Sequence, residues 1–155
     1  MKEETRQEKF RRIAEKRMSR IFTNMNLIAN LSSKKNYTYS EQEVNELFEA
    51  YMKKGQEIKK YFESPITLKN NTISNFEFSE DNNKKSIKEE KFRKIAENRM
   101  SRVFSDMSLI ANLSNRKHYT YSIQEVDELF KAYEEKGKEI RAYFEPLKEK
   151  FTFSK

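Results

Sequence analysis

The side chains in this sequence with the means to meet a ligand are cationic, and they come in two matched sets. Arg11, Arg12, Lys16 and Arg20 precede a turn that holds Lys34, Lys35 and Tyr37. Arg93, Lys94 and Arg102 precede a turn that holds Arg116, Lys117 and Tyr119. Clustered arginines and lysines neutralise phosphates, and a tyrosine beside them offers a ring face to a base. The pattern points to nucleic acid or a nucleoprotein, although a plain solvated helix face has the same composition. Arg17 and Arg99 are a separate case. Helical spacing puts both inside an apolar stripe, where an arginine needs a carboxylate or carbonyl partner or must extend its head to water. Two readings stay open for them: a polar layer that sets helix register, or an anion or partner site at the centre of the fold.

Catalytic and metal-binding patterns do not accompany these cations. The chain has one histidine, His118, in a turn where a related stretch carries Asn36, and it has no cysteine. A loop histidine that asparagine can replace reads as surface. No Ser-His-Asp set, His-Glu-x-x-His pair or glycine-rich phosphate loop is present. The carboxylates Glu43 and Glu46 are accounted for by helix capping and solvation. The expectation is a binding protein, not an enzyme, with no cofactor and no metal. Turnover lost on changing Arg17 and Arg99 would revive a catalytic reading.

Composition bounds the fold. Of 155 residues, 37% are charged and 35% hydrophobic, yet the apolar ones are large, with 12 Phe, 8 Tyr and 6 Met. A thin helical core under much solvated surface suits such a chain. With Gly 2 and Pro 2, a turn-rich β protein is excluded. Net charge is +7 and the isoelectric point about 9.4, a balance that favours nucleic acid or an acidic protein surface as partner. The charged opening Met1-Lys2-Glu3-Glu4 shows no signal peptide, and no apolar run is long enough for a membrane span. A cytoplasmic protein with no membrane partner is expected.

The positioning elements follow from periodicity. Phe10, Ile13, Ala14, Met18, Ile21, Met25 and Ile28 recur at helical spacing, after an acid–base stretch at Met1 to Lys9 that reads as a solvated first turn or a frayed lead-in to the helix. The apolar arc is wide, so this helix should touch at least two others. Asn30 is a candidate left-handed stop, with Lys34 and Lys35 beyond it where the helix dipole is negative. Ser40 and Glu43 form a capping-box pattern, with Tyr39 and Val44 placed as a hydrophobic staple. Val44, Leu47, Phe48, Tyr51, Ile58 and Phe62 then mark a second helix. Gly55 lies in the middle of its apolar face, either for a close helix crossing or as a local break. Ser64-Pro65 ends that helix. An Asn/Ser/Lys-rich stretch follows, with short alternating runs at Ile66–Leu68, Ile73 and Phe76–Phe78. Phe151–Phe153 echoes the last of these, so each unit is expected to end in a Phe-x-Phe arm that pairs with its counterpart or packs over the bundle.

All of this occurs twice. Phe92 aligns with Phe10, Arg99 with Arg17, Ser122 with Ser40, Glu125 with Glu43, Gly137 with Gly55 and Phe144 with Phe62, and about two-thirds of the positions between are identical. Residues 1–64 are one helical hairpin, 65–87 a linker and 88–155 the second hairpin. A unit of this size is near the lower limit of independent stability and leaves its wide arc wet. The expected fold is therefore all-α: two tandem hairpins closed about a pseudo-twofold axis into one four-helix bundle, a covalent pseudo-dimer with further oligomerisation left open. Separate beads on a string would expose too much apolar surface.

The string Asn-Leu-Ser-Asn-Arg-Lys-x-Tyr-x-Tyr-Ser at Asn112–Ser122 follows a Phe-Arg-x-Ile-Ala-Glu-x-Arg start at Phe92–Arg99. In this it resembles a group of small, uncharacterised bacterial helical proteins of mobile elements that hold one such unit. The resemblance spans both repeats and implies no activity. The tandem arrangement departs from the single unit and fits the idea that the single form pairs with itself. Two functions follow as expectations. The first is a non-enzymatic module that binds nucleic acid or nucleoprotein through the basic first-helix and turn face. The alternative is a small interaction or inhibitor protein of a mobile element or phage, directed at an acidic patch on a host protein. On the first, reversing Arg11, Arg12 and Lys16 to Glu should weaken binding and leave folding intact.

Overall fold

The computed structural model describes residues 3–63, 75–81, 83–146 and 151–154. These residues are all-helical: α1 (Arg6–Ala29), α2 (Glu41–Glu63), α3 (Ile87–Ala111) and α4 (Ile123–Ala142), with 3-10 turns at Asn30–Ser32 and Asn112–Ser114. None of the described residues lies in a strand, and no described helix is long and apolar enough to cross a membrane. The expected stop at Ser64-Pro65 and the alternating runs at Ile66–Leu68 and Ile73 fall outside the described residues.

Side-chain caps set the helix starts. At α2 the Glu43 amide donates to Ser40 Oγ at 3.1 Å and the Ser40 amide to Glu43 Oε1 at 2.8 Å. Ser122 and Glu125 repeat this box at α4, and Thr5 and Glu8 make a third at α1. The third box was not anticipated. It starts α1 at Arg6, ahead of the first apolar residue of the stripe, so the acid–base stretch forms a solvated first turn and not a frayed lead-in. The helix ends also differ from expectation. Asn30 and Asn112 are right-handed, with φ near −64°, and no described residue, glycine included, has positive φ. Each helix tightens into a 3-10 turn instead of reversing through a left-handed residue. The turn that follows is closed by a tyrosine: the Tyr39 hydroxyl donates to the Ser32 carbonyl at 2.9 Å and Tyr121 to Ser114 at 2.8 Å.

The packing order shows which neighbours cover each helix. α1 lies against α3 and α4, and α2 lies against α3 and α4. The two helices of one repeat face each other across the bundle and meet chiefly where Phe10 touches Phe62 and Phe92 touches Phe144, at 6.3 Å in both cases. The apolar stripe of each helix therefore finds its main cover on the other repeat. Each end of the bundle has an aromatic cluster of mixed origin. Tyr39 and Phe48 join Phe92 and Phe144 at one end, while Tyr121 and Phe130 join Phe10 and Phe62 at the other.

α2 and α4 cross at the two glycines. The Tyr51 and Tyr133 rings stack at 4.0 Å, nearly parallel. The Tyr51 hydroxyl donates to the Tyr133 carbonyl at 2.6 Å, and the Tyr133 hydroxyl to the Tyr51 carbonyl at 2.7 Å. A Cβ on Gly55 would stand 2.5 Å from Tyr133 Cε1, and one on Gly137 would collide with Tyr51 in the same way. Both glycines are helical and there for close approach, not as breaks.

Candidate nucleic-acid interface

The cations singled out above separate into those that pair within the chain, those at the two ends and those exposed along the first helices. Arg11 pairs with Glu125 and Arg93 with Glu43. These carboxylates also cap the second helix of the other repeat, so each closes a helix start and holds a foreign first helix at once. Burial alone would raise the Glu125 carboxyl, but Arg11, the Ser122 amide and Gln7 outweigh it and hold it below its ordinary range. Arg12 bonds Glu4 at 2.8 Å. Spacing along a single helix would match Arg20 with Asn24 and Arg102 with Asp106. Instead Asp106 lies 3.4 Å from Arg20, across the α1/α3 contact, and Asn24 donates to the Arg20 carbonyl. Desolvation raises the Asp106 carboxyl, with Arg20 and Arg17 opposing.

These pairs make the first-helix face less positive than a count of its residues suggests. They also change the charge-reversal expectation. A Glu at position 11 would face Glu125, so reversing Arg11 is predicted to disturb folding as well as binding.

Arg17 and Arg99 are half-buried, and each reaches a helix end of the other repeat. Arg17 Nη1 donates to the Leu109 carbonyl at 2.7 Å and Arg99 Nη1 to the Leu27 carbonyl at 2.6 Å. Those carbonyls lie in the last turns of α3 and α1, neither of which has a basic residue of its own there. The guanidinium supplies the missing positive charge at the negative end of the helix dipole. Lys34 and Lys35, expected in that role, lie in the exposed turn beyond it.

The cations of the turns gather at the ends. At one, Lys34 and Lys35 are exposed, Lys88 Nζ from the other repeat donates to the Lys35 carbonyl at 3.0 Å, and Lys91 Nζ lies 5.3 Å from the centre of the Tyr37 ring. At the other, Arg116 and Lys117 are exposed and Lys9 Nζ lies 5.4 Å from the Tyr119 ring. Arg116 is also stacked 4.4 Å over Tyr121. Tyr37 and Tyr119 are half-buried with an ammonium over one face, so they are less open to a stacking base than their positions beside the turns suggest. Lys16, Lys94 and Arg102 are exposed along the first helices, away from both turns. The contributions of Lys9, Lys88 and Lys91 were not foreseen, because they reach each end from the partner repeat. The only signal for them was the repeat itself.

Among the described residues no group of histidine, cysteine, aspartate or glutamate side chains is arranged to hold a metal ion. The chain matches no family model, no curated protein and no solved structure.

Proposed function

We propose that the chain is a duplicated helical unit paired with its own twin about a pseudo-twofold axis, and that it binds nucleic acid or nucleoprotein non-enzymatically through its two basic ends. Reciprocal contacts support the pairing: Tyr51 with Tyr133, Arg17 and Arg99 on opposite helix ends, Arg11 and Arg93 on opposite caps. One observation carries the binding reading. Each basic turn meets the lysine-bearing start of the other repeat's first helix, so cations from both repeats collect at one end. α3, with 25 residues, is about 37 Å long, and that sets the scale of the separation between the ends. This is close to the pitch of duplex DNA, roughly 34–36 Å, which favours the phosphates of a double helix over a stacked single strand.

Binding of a fluorescent duplex, followed by anisotropy against salt, tests this. With about six phosphate contacts, affinity should fall on the order of a thousandfold between 50 and 200 mM salt. Lys34→Glu/Lys35→Glu and Arg116→Glu/Lys117→Glu should each weaken binding without loss of helix content. Binding indifferent to salt and to both reversals would remove this reading. It would favour the alternative of a mobile-element or phage protein that grips one acidic host protein, which the resemblance to single-unit proteins of mobile elements supports.

A further inference from the structure

A groove of about 500 Å³ runs between α1 and α4, with Phe10, Phe22 and Leu129 among its apolar walls. The matching groove between α3 and α2 is filled by the chain itself. Phe76 and Phe78 are buried there, edge-on to each other at 5.0 Å, with Phe76 against Phe104 and Phe78 against Phe92. The Phe76 amide donates to Ser101 Oγ at 2.8 Å, the Phe78 amide to Glu97 Oε2 at 2.9 Å and the Ser79 amide to Glu46 Oε1 at 2.9 Å. Arg93 lies over the Phe78 ring at 5.1 Å and donates to the Ser79 carbonyl at 3.3 Å.

Every group that receives this arm recurs 82 positions away in the other repeat. Ser101 corresponds to Ser19, Glu97 to Glu15, Glu46 to Glu128, Arg93 to Arg11, Phe104 to Phe22 and Phe92 to Phe10. All six counterparts line the α1/α4 groove. The chain contains one further Phe-x-Phe-Ser, at Phe151-Thr152-Phe153-Ser154. Its rings already meet edge-on at 4.8 Å, the arrangement of Phe76 and Phe78, but they are 77% and 88% exposed. Arg11 is 61% exposed whereas Arg93, under its arm, is 18% exposed.

We propose that Phe151-Thr152-Phe153-Ser154 docks into the α1/α4 groove of its own molecule in the register of Phe76–Ser79. Phe151 then lies against Phe22 and Ser19, and Phe153 lies against Phe10 and Glu15 beneath Arg11. Reach and direction both permit this. Phe144 touches Phe92, and Arg99 binds the Leu27 carbonyl, so α1 and α3 are aligned at that level. Helical rise then puts Phe144 about 18 Å from Phe22 along the bundle axis. Seven residues lead from Phe144 to Phe151, and extended they reach about 23 Å. A chain leaving α4 comes to Phe22 before Phe10, the order in which the first arm meets Phe104 and then Phe92. The docked arm covers exposed aromatic surface and gives Ser19, Glu15 and Glu128 the amide donors that their counterparts already have.

Amide hydrogen exchange by NMR on the whole chain tests the proposal. The Phe151, Phe153 and Ser154 amides should exchange at least about tenfold slower than an unstructured segment, with no dependence on protein concentration. Phe151→Ala/Phe153→Ala, changes at exposed positions that leave the fold intact, should abolish this protection at Ser154. The same variant should shift the Leu129 methyl resonances and leave those of Ile58 in place. Exchange at the unstructured rate would overturn the proposal. So would protection that rises only with concentration, since the groove would then hold the arm of a second copy.

Discussion

Tyr51 and Tyr133 show how a phenol can be structural at both ends. Their rings stack and their hydroxyls each reach the other's backbone, so neither proton can leave without placing charge in the core. Burial pushes both phenols well above the ordinary value of 10, and for Tyr133 the nearby Tyr51 adds to it. A raised folded-state pKa stabilises the fold fully below the unfolded value and progressively less as pH rises beyond it. Stability measured by chemical denaturation should therefore fall above pH 10, by about 1.4 kcal/mol per pH unit for each such phenol. Tyr51→Phe/Tyr133→Phe should be less stable at neutral pH but should lose most of that alkaline slope. An unchanged slope would mean the rings are open to solvent. The same scale exposes what sequence reading missed. Glu43 was legible as a cap, yet its second bond to Arg93 was not, because that partner is 50 residues away and spacing along one helix cannot report it.

At the scale of elements, the two glycines decide how α2 and α4 meet. An alanine in a helix is ordinarily favoured over glycine by about 1 kcal/mol. At Gly55 the added Cβ would press on the Tyr133 ring, which is held by its stack on Tyr51 and by its hydroxyl bond to the Tyr51 carbonyl. Gly55→Ala is expected to destabilise by about 2 kcal/mol net, the cost of overpacking exceeding the gain in propensity. Thermal unfolding checks this, and a stabilised variant would refute the tight crossing. The helices themselves were readable from period and caps, and the crossing from a glycine repeated at the same place. The 3-10 endings and the role of Arg17 and Arg99 were not, because they depend on helix ends that belong to the other repeat.

At the scale of the molecule, duplication is the organising fact. The sequence pointed to four helices in one bundle, and the described residues form four helices packed on one another. It did not reveal that the two helices of a repeat sit across from each other, because a wide apolar arc specifies how much cover a helix needs and not which neighbour supplies it. That layout sharpens the consequence of separation. A half on its own lacks both neighbours of each helix, the caps' arginine partners and the facing tyrosine. The most direct measurement is sedimentation combined with circular dichroism on residues 1–64 expressed alone. The account predicts a chain that is either unfolded as a monomer or helical only as a self-paired dimer, with helicity falling on dilution. A dilute, stable monomer with the helix content of the intact protein would contradict it.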